Sequence, residues 1–349
     1  MTLDILLISN MYPDDQNPSS GIFVKKVYDQ LSSFEDLNLK KSCLTKSSFR
    51  SYDYLIFYIK SIFCILFQKS NLIYIHYISR TGLLGVLGKL LLKKKLISNC
   101  HGSDIFIPYR KNSFMHSLNK FVLRKSDLII VPSNFFKTFM IENLNIDPEK
   151  LFVSPSGGVY LPKNIDEKPY LTENLRLGYV GNISEEKGFK IILSFLDSVD
   201  FNCTFYLAGK DSNDMIKLIK NPLIRVKYLG EVKRNELHVL YSSIDLFLYP
   251  SLLMEGLGLS PIEAMAHKVP VVASNIGAIG SYVQENYNGF LINPGDKQEF
   301  KKKILSFKDM DNFERNELGA NAKKTAELFD EKIVKLNLKK KLIDISDDK

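Results

Sequence analysis

The chain has few cysteines, four among its 349 residues. They are Cys43, Cys64, Cys100 and Cys203. Their spacing matches neither a metal site nor a disulfide framework, which is typical of a protein kept in a reducing cytosol. A basic leader is missing too, since residues 2–9 are short and apolar and predict a first strand rather than a signal peptide. No apolar run reaches the ~18–20 residues of a membrane-spanning helix. We therefore expect a protein on the cytoplasmic side.

Acidic residues are almost absent from residues 50–125. This window holds thirteen Lys and Arg against Asp53 and Asp104, a net charge of +11, while the whole chain carries +8 and the remainder therefore −3. The apolar segments 52–67 and 83–92 lie in the same window. Basic amphipathic helices bind anionic bilayers, with ~1 kcal/mol for each basic residue near the surface. The window predicts peripheral contact with the membrane surface.

Two other interpretations of this charge remain. The segments could be core helices of a Rossmann-like layer whose lysines are simply solvated. Nucleic acid is a weaker interpretation, because the window carries no recognised nucleic-acid-binding fingerprint. We expect no nucleic-acid partner.

Strand-like runs alternate with helical patterns along the whole chain, which predicts two doubly wound α/β domains. We place them at 1–163 and 164–330, with a polar, proline-punctuated linker at 161–170 and a C-terminal helix in 331–349. The predicted strands are 4–9, 71–76, 95–100, 127–131, 150–153, 175–180, 203–208, 224–229, 244–248, 269–273 and 289–292. The predicted helices of the first half are 22–32, 52–68, 80–92, 113–125 and 133–142. Glycines at 82, 85 and 88 predict a flat helix face for close packing.

The most informative stretch is 249–266, which contains two glutamates eight positions apart. Glu255 follows the apolar run 244–249, which is typical of a buried parallel strand. Gly256 and Gly258 then leave the backbone open to close approach by a ligand. A solvated loop charge is the structural alternative for Glu255, although a carboxylate between a strand and two glycines has no obvious structural role.

A helix is predicted to begin directly after these glycines. Ser260 suits the N-cap, Pro261 the first helical position, and Glu263 the first turn. Helix N-termini bind anions, and carboxylates accept hydrogen bonds from hydroxyls. Together these features predict a ligand with phosphate and polyol parts, as in a nucleotide sugar. Alternatively, Glu263 could merely complete a Ser-x-x-Glu capping box with Ser260.

These segments resemble the family 4 retaining glycosyltransferases, which have the GT-B fold of two Rossmann-like domains facing a central cleft. The resemblance covers nearly the whole chain and depends on an ordered series of motifs around the Glu-x7-Glu pair. The motifs are SNMYP (9–13), SGIFV (20–24), HGSD (101–104), SPSGGV (154–159), GYVGNISEEKG (178–188), YLAG (206–209), VPVVAS (269–274) and NGFLINPGD (288–296).

The resemblance implies a phosphate-binding role for three positions. Lys187 matches a lysine that grips the donor diphosphate, and its structural alternative is a solvated surface lysine. Asn182 stands where the family has an arginine, so it brings a hydrogen-bonding group without the charge. Gly21 matches a glycine loop that closes over the phosphates.

The resemblance also implies roles for the two glutamates and for one histidine. Glu263 would accept the ribose hydroxyls, and Glu255 would face the transferred sugar. His101, at the carboxyl edge of a predicted strand, would contact the donor sugar and the leaving phosphate, with Asp104 orienting its imidazole; a buried core histidine is the alternative. Backbone N–H groups would address the sugar and the distal phosphate from Gly256, Leu257, Gly258 and Leu259.

By this resemblance the protein is a retaining glycosyltransferase that moves a hexose from a nucleotide diphosphate sugar to a lipid-linked glycan of a bacterial surface polysaccharide. No metal or other cofactor is expected, since the lysine and helix dipoles would stabilise the departing diphosphate. A catalytically degenerate GT-B module that binds a sugar nucleotide or a partner enzyme is the alternative, motivated by Asn182. An epimerase is disfavoured because the first strand lacks a Gly-x-Gly-x-x-Gly turn.

Overall fold

The computed structural model describes residues 2–14, 20–44, 50–110, 114–165, 174–211, 214–233 and 236–347. The chain divides into two compact units. The first unit contains Met1–Gly158 and Lys332–Lys349, and the second contains Val159–Glu331. Part of the predicted linker, residues 166–170, lies outside the described residues.

The first unit is a parallel six-stranded sheet in the order β2-β1-β3-β4-β5-β6, covered by helices. Its strands are β1 Leu3–Ser9, β2 Leu37–Cys43, β3 Leu72–His76, β4 Lys95–Asn99, β5 Leu128–Val131 and β6 Leu151–Val153. Its helices before the crossing into the second unit are α1 Ile22–Ser32, α2 Arg50–Phe67, α3 Ile78–Leu92, α4 Ser103–Arg110, α5 Phe114–Lys125 and α6 Asn134–Leu144. The predicted strands and helices are confirmed to within two residues, whereas β2 and α4 were not predicted.

The three glycines of α3 allow this helix to pack closely, as the sequence predicted. A Cβ added to Gly82 would lie 2.7 Å from Val122, and one on Gly88 would lie 2.1 Å from Ile73. Real Cβ contacts are not this short, so only glycine allows α3 to lie this close to α5 and to the sheet.

The second unit is a parallel six-stranded sheet in the order β12-β11-β10-β7-β8-β9. Its strands are β7 Leu175–Val180, β8 Cys203–Ala208, β9 Ile224–Tyr228, β10 Leu246–Tyr249, β11 Val271–Ser274 and β12 Gly289–Ile292. Its helices are α7 Phe189–Asp197, α8 Leu237–Ser243, α9 Leu259–Ala266, α10 Lys297–Asp309 and α11 Asn312–Glu327. Side chains of β7, β8 and β10 are buried almost without interruption, as expected for parallel strands covered on both faces. The prediction of an α/β fold with two doubly wound sheets is confirmed.

The C-terminal helix α12, Glu331–Asp347, belongs to the first unit from Lys332 onward. Leu338 and Leu342 join the buried cluster that includes Leu7 of β1. Lys339 forms an ion pair with Asp36 at 2.7 Å. The last helix of the chain therefore completes the core of the first unit.

The strand orders place one switch point in each sheet. In the first sheet the order of the strands reverses direction between β1 and β3, and in the second between β7 and β10. Open α/β sheets bind ligands beyond the carboxyl ends of the strands at such points. Within the described residues, no helix is both long enough and apolar enough to cross a membrane.

Candidate functional site

Lys187 and Glu255 meet at the switch point of the second sheet. Lys187 follows β7 and Glu255 follows β10, and these strands are hydrogen-bonded neighbours, so the loops after them lie side by side. Lys187 Nζ lies 2.7 Å from Glu255 Oε1, and the Ser251 hydroxyl donates to the same oxygen at 2.8 Å. The two charged side chains are only 26% and 13% exposed. The alternative of a solvated loop charge for Glu255 and that of a solvated surface lysine for Lys187 are therefore both wrong.

The charge of Glu255 acts on two buried tyrosines, Tyr249 and Tyr282. Burial, followed by the negative charge of Glu255, raises the pKa of Tyr249 and of Tyr282 well above the ordinary value. The Tyr282 hydroxyl donates to the carbonyl of Gly258 at 3.1 Å. Both phenols therefore stay protonated and neutral near this carboxylate.

The backbone of Glu255 is held as closely as its side chain. The amide of Ala278 donates to the Glu255 carbonyl at 2.9 Å. Gly277 has φ of +62°, and a Cβ there would lie 2.3 Å from the Glu255 carbonyl oxygen. This left-handed, crowded position needs glycine. The carboxylate therefore stands on a preorganised loop.

Helix α9 begins earlier than the sequence predicted. Its N-cap is Gly258, in the left-handed conformation and without a side-chain cap, so the predicted N-cap Ser260 already lies inside the helix. Glu263 consequently falls in the second turn rather than the first, and in this described stretch no capping box explains it. The first-turn N–H group of Leu259 is among those that a helix leaves without an internal acceptor.

The Glu263 carboxylate has a defined partner. The Tyr241 hydroxyl of α8 donates to Glu263 Oε2 at 3.0 Å, and the side chain is half-buried. His267 Nδ1 lies 2.9 Å from the Glu263 carbonyl, and its ring packs 5.4 Å from that of Tyr241. A half-buried carboxylate in the second turn of this helix is suited to accepting hydroxyl hydrogen bonds.

Asn182 lies in the same loop as Lys187 and is exposed. Its backbone carbonyl accepts a hydrogen bond from Tyr179 at 2.6 Å. The loop ends at Gly188, whose φ is +77° and where a Cβ would lie 1.8 Å from the carbonyl oxygen of Pro250. Gly188 thus brings the lysine loop against the glutamate loop.

In the first unit, Gly21 is the N-cap of α1, with φ of +67°. A Cβ there would lie 2.6 Å from the Met11 carbonyl, so the start of α1 packs on the chain that follows β1. Two residues later the Phe23 ring lies 4.3 Å from the ring of His101. The structure therefore brings the start of α1 and His101 together.

His101 is paired with a second histidine. Its Nε2 lies 3.0 Å from Nδ1 of His76, the last residue of β3. Burial lowers the pKa of His101 to about 3, and burial followed by the neighbouring ring lowers the pKa of His76 well below its ordinary value. Both imidazoles are neutral at pH 7.

The expected role of Asp104 is wrong. Asp104 Oδ1 accepts hydrogen bonds from the backbone amides of His101 and Gly102, both at 3.0 Å, and the imidazole of His101 instead contacts His76. Burial raises the pKa of Asp104 to about 6. This carboxyl orients the loop after β4 and not the imidazole ring.

Sequence reasoning missed several residues of these clusters. His76 carried a usable signal, because it ends a predicted strand at the same sheet edge as His101. Ser251 and Tyr241 carried none, since their contacts depend on how two loops and α8 pack. Lys187, Asn182, Glu255, Glu263 and the 256–259 backbone belong to the second unit, and Gly21 and His101 to the first. Among the described residues, no group of three or more His, Cys, Asp or Glu could hold a metal ion.

Comparison with known proteins agrees with this geometry. The family described as Glycosyl transferases group 1 matches residues 163–325, and Glycosyltransferase Family 4 matches residues 33–157. An uncharacterized glycosyltransferase of Methanocaldococcus jannaschii is 29% identical over 279 residues, covering 79% of this chain and 76% of that protein. The capsular polysaccharide biosynthesis glycosyltransferase CapM of Staphylococcus aureus is 30% identical over 169 residues, covering 45% of this chain and 42% of that protein.

A solved structure shares the fold across the full length. The crystal structure of Anabaena HepE in complex with UDP-glucose superposes with a TM-score of 0.76 at 18% identity, covering 97% of this chain and 99% of that chain. The two sheets, their switch points and the two consecutive family matches define a glycosyltransferase with the GT-B fold. The chain belongs to the family 4 glycosyltransferases, as the two family matches together show.

Proposed function

We propose that this glycosyltransferase moves a hexose, with retention of anomeric configuration, from a nucleotide diphosphate sugar to a lipid-linked glycan. The observation that carries the proposal is the Lys187–Glu255 pair, 2.7 Å apart at the switch point of the second sheet, with Glu263 on the following helix. These residues combine a cation for phosphate, a carboxylate for sugar hydroxyls and a second carboxylate for ribose. HepE, which binds UDP-glucose, and CapM, a capsule enzyme, support the donor class and the surface-polysaccharide pathway.

The proposed reaction breaks the bond between the anomeric carbon and the phosphate oxygen and forms a bond from that carbon to an acceptor hydroxyl oxygen. The acceptor proton passes to the departing phosphate. Lys187 leaves its pairing with Glu255 in part to meet the diphosphate, whose negative charge grows as the bond breaks. Preorganised charges and N–H dipoles of this kind stabilise such transition states without reorganisation. Lys187 and the start of α9 supply this stabilisation in the proposal, which requires no metal or other cofactor.

The proposal places the reaction on the inner face of the plasma membrane, with the protein bound peripherally. The basic, apolar surface of α2 and α3 supports this location. Asp53 and Asp104, the two acidic residues of the basic window, are both buried, so the charge that this window exposes is positive.

A second candidate function is a catalytically degenerate module that binds the nucleotide sugar or a partner enzyme. The observation that favours it is the exposed amide of Asn182, at the position where the family resemblance implies an arginine. Under this alternative the second unit still binds nucleotide but does not turn over.

An assay of nucleoside diphosphate release tests the proposal. The donors are UDP-, GDP-, ADP- and dTDP-hexoses, and the acceptors are lipid-linked glycans extracted from membranes. We expect turnover with one donor and a product whose anomeric NMR coupling matches that of the donor sugar. Lys187→Gln and Glu255→Gln should each lower kcat/KM by ~10²–10³-fold, the usual cost of one electrostatic stabiliser.

Lys190→Gln is the matched control, because Lys190 pairs with Glu185 in an exposed position on α7. It should retain native activity. An inverted product would contradict the retaining mechanism, and native-like activity of Lys187→Gln would contradict the assignment of the site. Donor binding without turnover would establish the degenerate module instead.

A further inference from the structure

A cavity of about 660 Å³ lies in the first unit between α2, α3 and α5. Ile78 and Leu84 form its buried floor. Leu83, Leu90 and Phe121 line it as well and are exposed, Leu90 to 62%. The volume falls within the ~300–1,000 Å³ that ligand sites enclose, and the lining is apolar, as in such sites. The cavity therefore opens through an exposed apolar rim and continues into the unit.

The cavity has one charged end. Among the described residues that line it, Arg80 alone is charged. Its guanidinium lies over the ring of Tyr54, 5.9 Å from the centroid, and its carbonyl accepts a hydrogen bond from Tyr58 at 3.1 Å. The chemistry that fits is a molecule with an apolar chain and an anionic end.

The surface around the cavity has the same character. Phe63 and Phe67 of α2 are 61% and 69% exposed, and their ring centroids lie 4.5 Å apart with the rings tilted by 38°. Lys60 of α2 and Lys125 of α5 are exposed on the same helices that border the cavity. Not every lysine here is available, since Lys94 binds the carbonyls of Ile65 and Gln68. The remaining charge is complementary to an anionic surface, to which exposed basic residues add affinity.

We infer that this cavity binds one hydrocarbon chain of an anionic lipid taken from the bilayer, with the head group at Arg80. The inference rests on the proposed function in one respect, since such a lipid is at hand only for a protein that works at a membrane. It extends that function from contact with a surface to a lipid-binding site on the first unit.

The test uses the full-length protein and cis-parinaric acid, a single-chain carboxylate that fluoresces when its chain enters an apolar site. We expect saturable binding of one molecule per protein. Leu87→Trp on α3 and Met115→Trp on α5 each place a ring in the cavity and should weaken binding at least about tenfold. Arg80→Gln should weaken the acid about fivefold and leave its methyl ester unaffected.

Leu91→Trp is the matched control, because Leu91 is on α3, is 62% exposed and does not line the cavity. It should bind the probe as the native protein does. Two cavity variants on different helices guard against misfolding of either one, and circular dichroism checks both. Native-like binding by Leu87→Trp and Met115→Trp would overturn the inference, as would a stable dimer that dissociates when the rim residue Leu90 is replaced by Ser.

Probe binding, measured beside the thermal stabilisation of the protein by nucleotides, separates this inference from the proposed function. Glu263→Ala, which should lose the nucleotide response, should keep probe binding, because it lies in the second unit. A native protein that binds the probe but responds to no nucleotide would contradict the proposed function alone. Absence of saturable probe binding in a protein that responds to nucleotide would contradict the lipid site alone.

Discussion

The histidine pair of the first unit shows how burial sets the state of a single residue. His76 Nδ1 and His101 Nε2 are 3.0 Å apart, so one of these atoms carries the proton between them. His76 Nε2 is buried and has no hydrogen-bond partner among the described residues. An unpaired acceptor is tolerated better than an unpaired N–H group, which favours donation from His76 Nδ1 to His101 Nε2. His101 then carries its own proton on Nδ1, and His76 acts as the positioning residue for that tautomer.

Replacing His101 with Gln should show this burial as a pH effect. The native pKa is lowered from 6.5 to about 3 by burial, so stability due to the neutral ring is present above pH 6.5 and is lost as the pH falls toward 3. Gln does not titrate. The loss of unfolding free energy caused by His101→Gln should therefore be up to ~2 kcal/mol smaller at pH 5 than at pH 7.

Urea unfolding of both proteins at the two pH values measures this difference, and any contribution of Asp104 cancels between them. If His101→Gln lowers the unfolding free energy equally at pH 5 and pH 7, His101 is not held neutral by burial.

At the scale of elements, most strands were predicted from apolar runs, because a parallel strand covered on both faces is an almost unbroken run of apolar residues. Edge strand β2 was not predicted, since within the described part of the chain it pairs with β1 alone and its burial pattern is broken by exposed residues such as Lys40 and Lys41. The predicted start of α9 was wrong because Ser260 is locally the better N-cap. The N-cap is instead Gly258, which packs so closely on Ile279 that a Cβ on Gly258 would lie 2.7 Å from the Ile279 side chain. Tertiary packing decided the boundary.

The candidate site was predictable to a similar extent. Lys187, Glu255 and His101 follow strands at sheet edges, which a motif and a topology rule can identify. The contact between Lys187 and Glu255 needs the strand order, which places β7 beside β10. Ser251, Tyr241 and the role of His76 depend on side-chain packing, and a single sequence does not specify these contacts.

The glycine between the lysine loop and α7 gives a prediction at this scale. Gly188→Ala would force a Cβ 1.8 Å from the carbonyl oxygen of Pro250, whereas a Cβ on Gly230 meets no atom of the described residues within 4 Å. Both glycines have positive φ, so each alanine costs ~1–2 kcal/mol for the left-handed backbone. Gly188→Ala should lose about 3 kcal/mol or more in all, among the large values for single substitutions.

Urea unfolding midpoints of the two variants measure this difference directly. Gly230→Ala is the matched control for backbone strain alone. Because Pro250 precedes Ser251, Gly188→Ala should also weaken nucleotide binding. Equal destabilisation by both alanines would show that the close contact with Pro250 contributes nothing.

The whole molecule divides its chemistry between its two units. The second unit carries the cation and carboxylates suited to a nucleotide sugar, and the first carries the histidine pair and a basic apolar surface. Residues 50–125 hold +11 of charge in a chain whose total is +8. This asymmetry supports the proposed function, in which the donor arrives from solution and the acceptor is held in a bilayer.

In the proposed function, the second unit binds a nucleoside diphosphate through Lys187 and Glu263. Thermal unfolding of the full-length protein with UDP, GDP, ADP, CMP and dTDP tests it, with Glu263→Ala and the exposed control Glu317→Ala on α11 alongside. At one hundred times its dissociation constant, a ligand adds ~2.7 kcal/mol and raises the midpoint by several degrees. We expect one of the four nucleoside diphosphates, and not the monophosphate CMP, to stabilise the native protein and Glu317→Ala, and to leave Glu263→Ala unchanged. Stabilisation by none of the five, or an undiminished response in Glu263→Ala, would contradict the account.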